Sequence, residues 1–202
     1  MLFNVDKSVF EKTYKGIVIG GSAGSFKPIT QLLADLPKDF PIPIFLCLHR
    51  LKHVRHGFIE ALSIRSKKQI IEPQDKETIR PGMVYLAPAN YHMCIELGNS
   101  ISLSTEGLIN NSRPSIDLTF HTAAYTFKEK MIGILYSGAN KDGAEGMKSV
   151  KDKGGYTIIQ DPDESLMATM PQSAQAITDI DLCLESEKIK NFLLRLYKAQ
   201  QK

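Results

Sequence analysis

The sequence predicts an α/β fold: a doubly wound, mostly parallel sheet with helices on both faces and an antiparallel hairpin. Three observations predict it. Short continuous apolar runs recur at residues 16–20, 43–48, 131–136 and 156–160, and such runs suit strands covered on both faces. Stretches with apolar residues at helical spacing separate most of them. Two of the runs end in turns of small residues, Gly20-Gly21-Ser22-Ala23-Gly24 and Ser137-Gly138-Ala139-Asn140. Strands that alternate with helices build a parallel sheet through right-handed crossovers.

The elements follow in order. Residues 1–14 form a short leader or an extra helical turn. Their mixture of Asp6, Lys7, Glu11 and Lys12 with apolar residues is not that of a signal peptide. The first strand, 16–20, carries Ile17, Val18 and Ile19. A helix starts near Ser25, where Pro28 suits a first turn, and Ile29, Leu32, Leu33 and Leu36 recur on one side. Pro37 and Pro41 close it. The second strand, 43–48, ends at His49 and Arg50. A polar loop over 52–56 leads to a helical stretch holding Phe58, Ile59, Leu62 and Ile64.

Ile70 and Ile71 suggest a short strand, and Arg80-Pro81-Gly82 turns the chain into another at 83–87. Residues 93–97 and 101–104 flank Gly98-Asn99-Ser100 as an antiparallel hairpin. From Ser115, the residues Ile116, Leu118, Phe120, Ala123, Ala124 and Phe127 fit a largely buried helix. The strand at 131–136 is followed by a helix over 144–153, which Gly154-Gly155 ends. A strand at 156–160, a short helix from Met170-Pro171 to Ala176, a last strand at 181–184 and an amphipathic helix over 187–199 complete the chain. Repeats, linkers and low-complexity segments are absent from the sequence, so one domain over 1–202 is expected.

Composition narrows the function. Hydrophobic residues make up 43% and charged residues 23% of the 202, the balance of a soluble globular chain. The net charge of +3 comes without a dense basic run, which argues against a nucleic-acid partner. No stretch reaches the ~20 apolar residues of a membrane span. Cys47, Cys94 and Cys183 are odd in number, far apart and set in apolar stretches, which suggests buried reduced thiols in a cytoplasmic protein.

Chemistry gathers at strand ends, because ligands of open parallel sheets bind at the carboxyl edge. Ser22 follows the first strand, His49 the second, and Asp142 lies beyond the strand at 131–136. A serine hydroxyl is a poor nucleophile without a base, and the base needs a group to fix its tautomer. Gly20-x-Ser22-x-Gly24 fits a nucleophile elbow, a sharp strand-to-helix turn. The chain order Ser, His, Asp differs from the familiar triad orders, but a triad is defined by geometry.

Each member has a bland alternative: Ser22 as a small turn residue, His49 as a strand-end histidine bonded to backbone, Asp142 as a helix N-cap. The turn is also compatible with phosphate binding, and Arg50 with a nucleotide 2′-phosphate. For an oxyanion hole the candidate donors are the backbone amides of Ala23 and Ala139. Among the other histidines, His53 and His56 read as solvated, His92 as a rim candidate and His121 as a core histidine. Histidines at 49, 53 and 56 lack an acidic or thiolate partner at a fixed short interval, so no metal site is expected.

Several separate motifs then carry a resemblance. They are Ile19-Gly20-Gly21-Ser22-Ala23-Gly24, the strand-end His49, the segment from Arg80-Pro81-Gly82 to Pro88 with His92-Met93, and Arg113-Pro114-Ser115-Ile116-Asp117. The series goes on with Ser137-Gly138-Ala139-Asn140-Lys141-Asp142-Gly143-Ala144-Glu145-Gly146-Met147, then Gly154-Gly155, Gln160-Asp161 and Met170-Pro171. In this order the chain resembles the catalytic domain of the CheB-type protein-glutamate methylesterases of bacterial chemotaxis.

The resemblance implies a serine hydrolase that needs no cofactor, with Ser22 as nucleophile, His49 as general base and Asp142 as orienting carboxylate. It implies demethylation of glutamate γ-methyl esters on methylated chemoreceptors, with deamidation of receptor glutamines as a related activity. Ala139 stands where the family often has methionine, and it still supplies a backbone N–H. Ala23 stands where the family often has threonine, and Ser25 where it has glycine. The family usually carries an N-terminal receiver domain, and this chain is expected to stand alone without one. A catalytically weakened esterase fold kept as a binding module is the non-enzyme alternative.

Overall fold

The computed structural model describes residues 5–50 and 57–201. In chain order these fold as α1 (Ser8–Glu11), β1 (Gly16–Gly21), α2 (Phe26–Asp35), β2 (Ile44–Leu48), α3 (Phe58–Ser63), β3 (Ile70–Ile71), β4 (Glu77–Thr78), β5 (Val84–Leu86), β6 (His92–Glu96) and β7 (Ser100–Ser104). There follow α4 (Ile116–Phe127) with a 3₁₀ turn at Lys128–Lys130, β8 (Met131–Leu135), α5 (Ala144–Asp152), β9 (Tyr156–Gln160), α6 (Thr169–Ile177), β10 (Leu182–Leu184) and α7 (Ser186–Gln200).

Seven strands form a parallel sheet in the order β10-β9-β8-β1-β2-β5-β3. Side chains of successive strand residues point to opposite faces, and the two cores follow that alternation. Ile17 and Ile19 of β1, with Ile44, Leu46 and Leu48 of β2, face Ile29, Leu32 and Leu33 of α2 and Phe192, Leu193 and Leu196 of α7. Val18, Phe45 and Cys47 face the other way, against Phe120 and Ala124 of α4, Met147 of α5 and Met170 of α6. The fold is therefore the doubly wound, mostly parallel α/β sheet that the apolar runs predict.

The chain leaves β1 for β2 on one side and later places β8 on the other. Winding reverses at β1, and such a reversal opens a crevice at the carboxyl ends of the strands. Ser22 lies at that end of β1.

The expected antiparallel hairpin is β6 and β7, and with β4 it forms a separate three-stranded antiparallel sheet. Several other expectations change. Glu77 and Thr78 gave no strand signal, because a two-residue polar edge strand has no apolar period to show. Ile64 is exposed, since α3 ends before it. The three thiols are unpaired, but only Cys47 is buried. Cys94 is half-buried and Cys183 exposed, because both lie on strands with one face toward solvent. His121 is not a core histidine: it sits on the exposed side of α4, where its Nδ1 lies 3.0 Å from Ser149 Oγ. Residues 1–4 of the proposed leader and the whole of the predicted 52–56 loop, with His53 and His56, lie outside the described residues.

Candidate active site

Parallel register places the first two site residues side by side. Gly21 pairs with Leu48, and the His49 amide donates to the Gly21 carbonyl at 3.1 Å. Ser22 and His49 are the next residues on each strand. On the other side the Ser22 amide donates to the Ser137 carbonyl at 2.9 Å, so the turn is anchored to the end of β8 as well. The turn needs Gly24. It holds φ +87, and a Cβ there would stand 2.6 Å from Leu166 Cβ and 2.7 Å from Ser137 Oγ. Ser22 is half-buried, and its hydroxyl has no hydrogen-bond partner among the described residues.

Two of the three expected residues are joined directly. His49 Nε2 lies 2.8 Å from Asp142 Oδ2, with the histidine side chain 14% exposed and the aspartate wholly buried. A carboxylate only accepts, so the ring nitrogen facing it carries the proton. The lone pair is then on Nδ1.

Asp142 is no local N-cap. The residue before α5 is Gly143, at φ +101, and the Asp142 carboxylate reaches the N-terminus of a different helix. Its Oδ2 accepts from Ile116 N at 2.8 Å, and its Oδ1 from Asp117 N and Ser115 Oγ, both at 3.1 Å, and from Asn110 Nδ2 at 3.2 Å. The exchange is reciprocal. Asp117, on α4, accepts from Gly143 N and Gly146 N of α5, both at 2.8 Å, and Asn110 Nδ2 also donates to it at 2.7 Å. Each helix start is thus held by a carboxylate from beside the other. That is a favourable place for negative charge, because orphan amides and the helix dipole converge there.

The two carboxyls diverge electrostatically. Burial alone would raise Asp142, but hydrogen bonds from His49, the Ile116 and Asp117 amides and Asn110 outweigh it and hold it below the ordinary carboxylate value. Asp117 is pushed up, by burial first and by the negative Asp142 beside it, against the lowering effect of its amide donors. Asp142 therefore stays charged beside His49.

The segment before α4 is strapped down. Arg113 donates to the Thr105 carbonyl (2.5 Å), the Glu106 carbonyl (2.7 Å) and Asn90 Oδ1 (2.8 Å). His92 is not a rim residue. It is wholly buried; its Nδ1 accepts from Ser115 N at 3.2 Å and its Nε2 donates to the Gly107 carbonyl at 3.0 Å. Arg50 is not free to meet a phosphate: its side chain is 2% exposed, paired with Glu72, 3.2 Å from the Ala87 carbonyl and set over the Phe58 ring.

The two candidate oxyanion residues, Ala23 and Ala139, are exposed, and their amides donate to no acceptor among the described residues. Asp117, Asn110, Ser115, Ser25 and Ser137 were not expected as parts of the site. Ser115, Asp117 and Ser137 fall within the motifs that carry the family resemblance, and Ser115 also stands three residues before Leu118, a helix N-cap position that the structure realises with a 3.3 Å bond from the Leu118 amide.

A family model described as CheB methylesterase matches residues 17–193. The chain belongs to the CheB methylesterase family. Relatives named protein-glutamate methylesterase/protein-glutamine glutaminase include one from Clostridium acetobutylicum, 30% identical over 92% of this chain, and one from Thermotoga maritima, 33% identical over 90%. This chain spans about half of each, 54% of their length. A relative from Leptospira interrogans, bearing the same name provisionally, is 41% identical over 91% of this chain and 95% of its own. The crystal structure of the Thermotoga maritima CheB methylesterase catalytic domain superposes with a TM-score of 0.86 at 32% identity, covering 92% of this chain and all of that one.

Proposed function

We propose that this chain hydrolyses glutamate γ-methyl esters on methylated chemoreceptors, with Ser22 as nucleophile, His49 as general base and Asp142 as the orienting carboxylate. The observation that carries the reading is the His49–Asp142 pair at 2.8 Å, set beside Ser22 at the carboxyl ends of two paired strands in a CheB methylesterase chain. His49 Nδ1 takes the Ser22 proton as the oxygen attacks the ester carbonyl. The imidazolium that forms is compensated by Asp142, which stays ionised. The amides of Ala23 and Ala139 receive the developing oxyanion. Collapse of the tetrahedral adduct expels methanol, protonated by His49. Water, activated by the same nitrogen, then releases the glutamate.

The same steps on a glutamine side chain release ammonia, which accounts for the double name of the relatives. No step calls for a cofactor. We treat residues 1–202 as one catalytic domain, a reading supported by the continuous seven-stranded sheet. We place it in the cytoplasm, facing the receptor without entering the bilayer; unpaired cysteines and the lack, among the described residues, of any helix able to cross a membrane support this.

The test is methanol release from methylated receptor membranes, with Ser22→Ala as the control. Loss of one triad member costs up to about 10⁶ in kcat. Release at the parent rate by Ser22→Ala would refute the mechanism.

A further inference from the structure

Two buried hydroxyls near the turn are not used by this mechanism. Ser25 is 2% exposed and Ser137 wholly buried, so neither can touch a substrate. Both bond to the backbone of the turn itself. The Ser22 carbonyl accepts from Ser25 Oγ at 2.7 Å and from Ser25 N at 3.1 Å. The Ala23 carbonyl accepts from Ser137 Oγ at 2.8 Å. That hydroxyl in turn accepts from Met167 N at 2.9 Å, and the competing Met167 carbonyl is farther away, at 3.2 Å.

The consequence follows from peptide geometry. In a trans peptide the C=O and the following N–H point in opposite directions. A Ser22 carbonyl held toward Ser25 turns the Ala23 N–H away from Ser25. An Ala23 carbonyl held toward Ser137 turns the Gly24 N–H away from Ser137. Both peptide planes flanking Ala23 are thereby fixed, and the Ala23 amide is left without an acceptor among the described residues. The surroundings are shaped to admit these hydroxyls: a Cβ at Gly21 would stand 2.6 Å from Ser25 Oγ, and one at Gly24 would stand 2.7 Å from Ser137 Oγ.

We propose that Ser25 and Ser137 are positioning residues that fix the two peptide planes around Ala23, and so aim its amide at the oxyanion formed on Ser22. The proposal rests on the reading of Ser22 as nucleophile. An amide that rocks out of line weakens only the transition state, since the ground-state ester does not need it. A side chain that merely braces the loop would instead affect stability or substrate affinity.

The test uses the full chain with Ser25→Ala and Ser137→Ala as separate variants, Ser137→Thr as a hydroxyl-keeping variant and Ser22→Ala as control. Thermal melting first sets a temperature at which each is folded. Methanol release from methylated receptor membranes then gives kcat and KM. The Ki of an aryl boronic acid, which adds to a serine oxygen as a tetrahedral anion, reports on the hole itself. Misaimed donors cost about 10- to 100-fold, so kcat should fall by that factor in each alanine variant while KM stays within about threefold. The boronic acid should weaken in parallel, and the pH profile should keep its shape because His49 and Asp142 are untouched. Ser137→Thr should restore most of the loss. Unchanged kcat in both folded alanine variants, or a loss confined to KM, overturns the proposal while leaving Ser22 as nucleophile. Parent-like hydrolysis by Ser22→Ala would instead remove the functional reading and this proposal with it.

Discussion

Replacing Asp142 with asparagine isolates the charge from the shape. The new amide must put its NH₂ where one of the carboxylate oxygens was. At the Oδ1 position that NH₂ would face three donors, from Asn110, Ser115 and Asp117. At the Oδ2 position it faces one backbone donor, Ile116 N, and the His49 ring. The second orientation therefore wins. It leaves the Ile116 amide unpaired, at a cost of about 1–3 kcal/mol. Relief of the repulsion with Asp117 offsets part of this. At about 2–4 °C per kcal/mol for a chain of this size, Tm should fall by roughly 2–12 °C.

The effect on the reaction is larger. His49 Nε2 now meets a donor, so the ring accepts there and moves its proton to Nδ1, the nitrogen that must be unprotonated to take the Ser22 proton. The equivalent change in another triad costs about 10⁴ in kcat through the wrong tautomer. Methanol release and thermal melting together test this. An Asp142→Asn variant that is folded and keeps kcat within about tenfold of the parent would refute the tautomer argument.

Three further outcomes concern other buried groups. Tyr136 is wholly buried and its hydroxyl has no partner among the described residues, so Tyr136→Phe should raise stability by about 1 kcal/mol in urea melts; a lower midpoint would count against it. Burial pushes the Tyr14 and Tyr136 phenols up, and Tyr156 up to about 12. Unfolded tyrosines release their protons near pH 10 while these keep theirs, so stability held below about pH 10 should be lost as pH rises from there toward 12. Tyr136→Phe should make that decline shallower in pH-dependent melts, and a slope that did not change would be contrary. His92→Phe removes the acceptor for the buried Ser115 amide, costing about 1–3 kcal/mol; it should also lower kcat, because the start of α4 carries the donors that hold Asp142, and a parent-like kcat would show that the strap is not needed.

The sheet was legible because its strands are buried on both faces. Ile17-Val18-Ile19 and Ile44-Phe45-Leu46-Cys47-Leu48 leave no polar position to confuse the pattern. The exposure of Cys183 was not legible, since a short edge strand can look apolar and still turn one face to solvent. Nor was that of His121, because α4 is apolar on several sides but packs on only some of them. Of the candidate site, Ser22 and His49 were legible as the residues after two apolar runs, and strand register alone brings them together.

Asp142 was legible as a polar residue in a small-residue turn, but its action was not. A carboxylate before a helix is ordinarily a cap for that helix. Here Gly143 begins α5, and its amide is taken by Asp117 from α4, while Asp142 takes the first amides of α4. The exchange spans some two dozen residues of chain and has no local pattern. It also decides the chemistry. Among the described residues, four of the five donors around Asp142 come from residues 110–117, and one is His49. The carboxylate is thus fixed by α4 before it meets the histidine, and with Oδ2 set against Nε2 the ring can offer only Nδ1 to Ser22. The familiar arrangement uses the two nitrogens the other way round. In this chain the choice is made by where a helix begins, so the proposed triad depends on the start of α4 as much as on the strand ends.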